Sequence, residues 1–153
     1  MTSQPASRRS GDGPGRAVRV TVLAAVADVA CVVALALGGY RAHDTGDVTE
    51  AILRIVWPFL AGTAVGWVLA RAWRRPTVVA PVGIIVWGAT WSVGLILRAL
   101  TDQGTAPAFQ LVSFGFLAVL MLGWRGVVQL VEVLSPRDRR RRAAELAGRR
   151  PPR

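Results

Sequence analysis

The stretch AAVADVACVV, residues 24–33, is apolar apart from one carboxylate, Asp28. An acid at mid-bilayer depth costs about 2.5–3.5 kcal/mol on insertion scales and normally faces a bundle interior or a cavity. Its neighbours on the same helical face, Thr21, Ala24, Ala25, Cys31 and Val32, are mostly small, which suits an inward face. Such a group either takes up a proton or pairs with a cation. Arg54 and Arg98 stand within a turn or so of span ends, and an arginine stem is long enough to reach inward. The polar centre expected from sequence is therefore Asp28 with Arg54 or Arg98. It could act as a proton relay or ion-binding residue, or as an ion pair that locks helices together.

The other candidates carry less specific chemistry. Gly62 and Gly66 form a GxxxG pattern, flanked on the same stripe by Pro58 and Ala70, and such stripes let helix backbones approach closely. Pro58 also removes a backbone donor and frees the carbonyl near Arg54. Trp87 and Trp91, four apart, could wall a pocket or fill space beside Gly83, Gly88 and Gly94. Trp57, Pro58, Gly62, Gly66, Trp87 and Trp91 are thus the residues for a cavity or for helix packing. His43, Asp44, Asp47 and Glu50 bear groups a divalent cation could use, but at no recognised metal spacing. Asp47 and Glu50 fit a helix-capping box instead. Cys31, the single cysteine, excludes an internal disulfide and a cysteine-clustered zinc site. There is no G-x-S-x-G elbow, phosphate loop or HExxH pattern. Neither an enzyme, a cofactor nor a metal is expected.

These residues need long apolar elements to hold them. Of 153 residues, 52% are hydrophobic, and the mean hydropathy is +0.40. The apolar residues fall in four blocks, residues 18–37, 51–70, 77–97 and 107–123, each near the roughly 20 residues that cross a bilayer as a helix. The expected organisation is a basic N-tail over 1–17 with the composition of a disordered segment, a four-span domain over 18–134 and an arginine-rich tail over 135–153. The last span is extended to 134 by an interfacial helix. Asp28 and the length of the first block argue against a cleaved secretory signal there. Gly11-Asp12 after Arg8-Arg9 argues against a twin-arginine signal. The fold class is all-α, an integral membrane four-helix bundle.

All 19 basic residues are arginine, a bias expected of a GC-rich genome, and the formal net charge is +10. With four spans, 16 arginines fall on one side of the membrane and three, Arg41, Arg54 and Arg98, on the other. The positive-inside rule then puts both termini in the cytoplasm, in a bacterial plasma membrane. The tail RDRRRRAAELAGRR has no interleaved aromatic residues for base stacking, so anionic lipid explains it better than nucleic acid.

Phe59-Leu60-Ala61 and Gly66-Trp67 recur as Phe116-Leu117-Ala118 and Gly123-Trp124, and the offset, 57 residues throughout, also sets Arg41-Ala42 on Arg98-Ala99. A duplication of two-span units would produce this, as would coincidence in a low-diversity apolar chain. Over about residues 20–130 the sequence also resembles an uncharacterised family of small four-span prokaryotic membrane proteins, domain of unknown function 3054. The residues carrying the resemblance are Asp28, Gly39-Tyr40-Arg41-Ala42-His43, Trp57-Pro58-Phe59-Leu60-Ala61-Gly62, Gly66-Trp67 and Arg98. It implies an integral membrane protein with an outer-loop motif that includes Arg41 and His43, and it implies no activity.

Two functions remain open on sequence alone. One is a small transporter or permeation unit centred on Asp28; four spans enclose little volume, so it would call for a homo-oligomer. The alternative is a structural or regulatory membrane protein whose basic tail binds anionic lipid or a partner protein.

Overall fold

The computed structural model describes residues 14–42, 48–103 and 105–135. The N-tail to residue 13, the loop with His43, Asp44 and Asp47, and the tail from residue 136 lie outside the described residues, as do the side chains of Arg41 and Glu50. The described chain is four helices: α1 (Pro14–Ala42), α2 (Val48–Ala70), α3 (Ile84–Leu100) and α4 (Pro107–Leu134). A 3-10 turn, Ala72–Arg74, and a single π turn, Val79–Gly83, link α2 to α3. Each helix, with α3 taken together with the π turn, is long and apolar enough to cross a membrane. Only 22–33% of each span's most apolar stretch is buried inside the protein, so most of those side chains face outward. Exposed Leu23, Val68, Leu69, Leu111 and Val119 are stable in that position because lipid, not water, is the outer solvent. The protein is a multi-pass membrane protein.

Helices α2 and α3 make the closest pair, and the sequence of α2 explains why. A Cβ on Gly62 would lie 2.7 Å from the Thr90 carbonyl oxygen, and one on Gly66 would lie 2.8 Å from Val86 Cα. The two glycines therefore let the α3 backbone into contact. Beside them the Thr63 and Thr90 hydroxyls lie 3.1 Å apart, and each is also within hydrogen-bond distance of the carbonyl four residues back in its own helix, so two protons are shared among three contacts. Gly94 of α3 leaves room for the ring of Phe59, which is fully buried next to Pro58.

The α2–α3 connection is short and ordered by backbone bonds. Arg71 takes a left-handed conformation (φ 47°) directly after α2, the usual geometry for ending a helix. The amides of Arg74 and Arg75 then close turns on Arg71 and Ala72. The Thr21 hydroxyl donates to the carbonyls of both Ala17 and Trp73, which ties α1 to this connection. On the far face, Trp87 and Trp91 donate their indole N–H groups to the carbonyls of Phe114 and Gln110, joining α3 to α4.

Helix α4 continues without a break to Leu134. Trp124 and Arg125 therefore stand on the same helix as Pro107.

Candidate functional site

Asp28 lies at the middle of α1 and is fully buried. Its cation is Arg125 of α4, also fully buried. The guanidinium grips the carboxylate through both ends, Nη1–H to Oδ1 and Nη2–H to Oδ2, each 2.7 Å. Two indoles complete the site: Trp67 Nε1–H of α2 donates to Oδ2 at 2.8 Å, and Trp124 Nε1–H of α4 donates to Oδ1 at 3.1 Å. Each carboxylate oxygen thus receives one guanidinium and one indole hydrogen bond. The fork geometry matches what makes arginine the preferred partner of a buried carboxylate.

Arg125 is satisfied on its other side too. Nε–H donates to the Pro76 carbonyl at 3.1 Å and Nη1–H to the Met121 carbonyl at 2.9 Å. Its Cζ lies 4.4 Å from the Trp124 ring centroid, so the cation also stacks on an aromatic face. The arginine stem fits because residue 83 is glycine: a Cβ there would come within 2.9 Å of Arg125 Cδ. Segments from α1, α2, the α2–α3 connection, the π turn and α4 therefore meet around one charge pair. Among the described residues no group of three or more metal-ligating side chains occurs.

The expected partners of Asp28 are replaced by this arrangement. Arg54 is exposed on α2, 13 residues before Trp67. At 1.5 Å of rise per residue that is about 20 Å along the helix, beyond the reach of an arginine stem. Arg98 lies 12 residues after Val86, which packs at the level of Gly66, so it too is about 18 Å away along α3. Arg98 instead bonds the side chain and carbonyl of Gln103 and stands 4.6 Å from the Phe109 ring centroid, where it secures the α3–α4 turn. The centre lies toward the end of the bundle that holds Pro76, the end richer in arginine, and not toward the end of Arg54 and Arg98.

Sequence reasoning missed Arg125 because it follows Gly123, in the stretch read as an interfacial extension of the last span, where an arginine needs no buried partner. A signal was present. Val127, Val128, Leu130 and Val131 follow Arg125 in the same unbroken helix, and an arginine with apolar turns on both sides needs a buried partner.

The remaining candidates do not converge on Asp28. Trp57 is half exposed near the opposite end of α2, Pro58 is buried in the core, and Gly62 and Gly66 serve the α2–α3 contact. Trp87 and Trp91 stack with Phe114 at ring-centroid distances of 4.7 and 5.1 Å on the α3–α4 face. One element of the 57-residue offset does meet at the site. Trp67 and Trp124, which it equates, donate to the two oxygens of the same carboxylate.

The fold and this centre define a class, a four-span all-α membrane protein closed by a buried, four-donor charge pair. Within that class the chain belongs to the family described as a protein of unknown function, DUF3054, whose match covers residues 25–128 and so contains both Asp28 and Arg125. No match was found among curated proteins or solved structures.

Proposed function

We propose that the chain is a non-enzymatic structural or regulatory membrane protein, a rigid four-span body that holds an arginine-rich flank against an anionic leaflet. The observation that carries this reading is the occupancy of Asp28. Its two oxygens receive four N–H donors, and neither it nor Arg125 is accessible. A transport acid needs a vacancy for its cargo or proton and a path to solvent. A carboxylate saturated by protein donors is a lock.

The positive-inside distribution supports cytoplasmic termini in this reading. Arg71, Arg74 and Arg75 of the α2–α3 connection would then share the inner surface with the tail. Each contributes on the order of 1 kcal/mol of attraction to acidic lipid. A bacterial plasma membrane, rich in such lipid, fits that placement.

The test is reconstitution into liposomes with an internal pH dye. The expected result is no proton leak above that of empty liposomes under an imposed gradient. A leak that Asp28→Asn abolishes would return the protein to the transporter class.

A further inference from the structure

The buried charge pair touches the α2–α3 connection at one point. Arg125 Nε–H donates to the Pro76 carbonyl at 3.1 Å, and Pro76 is itself buried. The connection is a strap laid across this end of the bundle. Besides its own turns, residues 71–76 are tied to other helices by that bond and by the Thr21 hydroxyl, which donates to the Trp73 carbonyl at 3.3 Å. Half of those residues, Arg71, Arg74 and Arg75, are exposed arginines. Among the described residues none of their guanidinium groups has a hydrogen bond or an ion pair: Asp28 is taken by Arg125, and Glu132 of α4 reaches none of them. One short strap thus concentrates like charges that repel one another and have no counter-charge among the described residues. Trp73, 49% exposed in their midst, puts the strap at headgroup level.

We propose that this strap is a lid on the charge centre, closed by acidic lipid. Anionic phospholipid headgroups bind Arg71, Arg74 and Arg75, whose guanidinium forks match phosphate geometry, and cancel the repulsion that otherwise lifts the strap. With the strap seated, the Pro76 carbonyl stays on Arg125 and water is kept from the pair. In a neutral bilayer only water and salt screen the arginines, and the strap leaves Arg125 more often. A lipid that binds the seated form alone favours it by mass action. The inference rests on the reading that this flank faces an acidic leaflet, and it adds that the charge of the leaflet is felt at Asp28 and Arg125.

The experiment follows exchange of the Arg125 Nε proton by ¹⁵N–¹H NMR, with the full chain in nanodiscs of phosphatidylglycerol or of phosphatidylcholine. The expected result is exchange about tenfold slower in phosphatidylglycerol, with the Thr90 amide in the α2–α3 contact unaffected. Arg71→Gln/Arg74→Gln/Arg75→Gln should exchange slowly in both lipids, because the repulsion is gone. Its altered side chains are exposed and make no bonds, so it should melt with wild type. In phosphatidylcholine, molar salt should also slow the wild-type proton by screening, a test that needs no variant. Wild-type exchange that ignores lipid or salt overturns the lid, as does a triple variant that exchanges fast or keeps the lipid dependence. Loss of that dependence when Arg139, Arg140, Arg141 and Arg142 become Gln would move the effect to the tail and overturn the strap. Millimolar inorganic phosphate that reproduces the full slowing in phosphatidylcholine overturns the lipid assignment. Nanodiscs offer the same lipid to both faces, so these outcomes do not depend on orientation. Labelling of Arg75→Cys from outside the cell would sink the leaflet reading and leave the lid standing.

Discussion

Replacing Asp28 by Asn isolates the charge while keeping the shape. The amide has one acceptor and one donor end, yet each carboxylate position is approached by two N–H groups, one from Arg125 and one from an indole. Either orientation of the amide therefore turns two hydrogen bonds into donor–donor contacts and leaves the guanidinium without its counter-ion. Removing one partner of a buried pair costs about 3–5 kcal/mol, and the two opposed donors place the Asp28→Asn variant toward the upper part of that range. Arg125→Met should cost a similar amount, since it strands the carboxylate with two indoles. In the double variant Asp28→Asn/Arg125→Met the guanidinium is gone and the amide oxygen can still accept one indole N–H, so it should cost less than the sum of the singles by about 2–3 kcal/mol. Equilibrium unfolding in mixed micelles, followed by tryptophan fluorescence, measures all three. Additive singles, or an Asp28→Asn loss below about 1 kcal/mol, would refute the claim that the pair holds the bundle.

Other consequences are local. Trp67→Phe removes one donor from Asp28 Oδ2 and should destabilise by about 1.5–3 kcal/mol, the usual worth of a hydrogen bond to a charged group; a loss no larger than that of Trp57→Phe would contradict this. Gly62→Ala should cost about 1–3 kcal/mol in the same assay, because its Cβ meets the rigid carbonyl of Thr90, whereas Gly115→Ala faces open space and should be neutral. Gly83→Ala pushes on the Arg125 stem, so it should lower stability in wild type and do so much less in an Arg125→Met background. Thr90→Val should cost about 0.6–1.7 kcal/mol, through its bond to Thr63, and combining it with Thr63→Val should add little.

The four spans were legible because hydrophobic blocks of bilayer length have few other uses, and the close α2–α3 contact was legible in Gly62 and Gly66. The importance of Asp28 was legible too, since an acid inside such a block demands a partner. Its partner was not. Depth was judged from the middle of each block, but α1 and α4 are 29 and 28 residues long, and the level at which they cross is set by packing against the short α2–α3 connection. That packing brings mid-α1 to the level of Trp67 and of Arg125, nine residues before the end of α4. The roles of Trp67 and Trp124 were hidden for a related reason: tryptophans near span ends are commonly interfacial anchors, whereas here their N–H groups point inward to a carboxylate. Trp73, a few residues further on, does occupy an exposed position at that end.

The most direct measurement of the central claim is hydrogen exchange of the tryptophan indole protons by ¹⁵N–¹H NMR in lipid nanodiscs. A locked, dry charge centre predicts that the Trp67 and Trp124 indole protons exchange as slowly as the core amides, while those of Trp57 and Trp73 exchange fast. Asp28→Asn should shift and unprotect the first two alone. Fast exchange at Trp67 and Trp124 in the wild-type protein would mean that water reaches the carboxylate, and Asp28 would then be part of a pathway and not a lock.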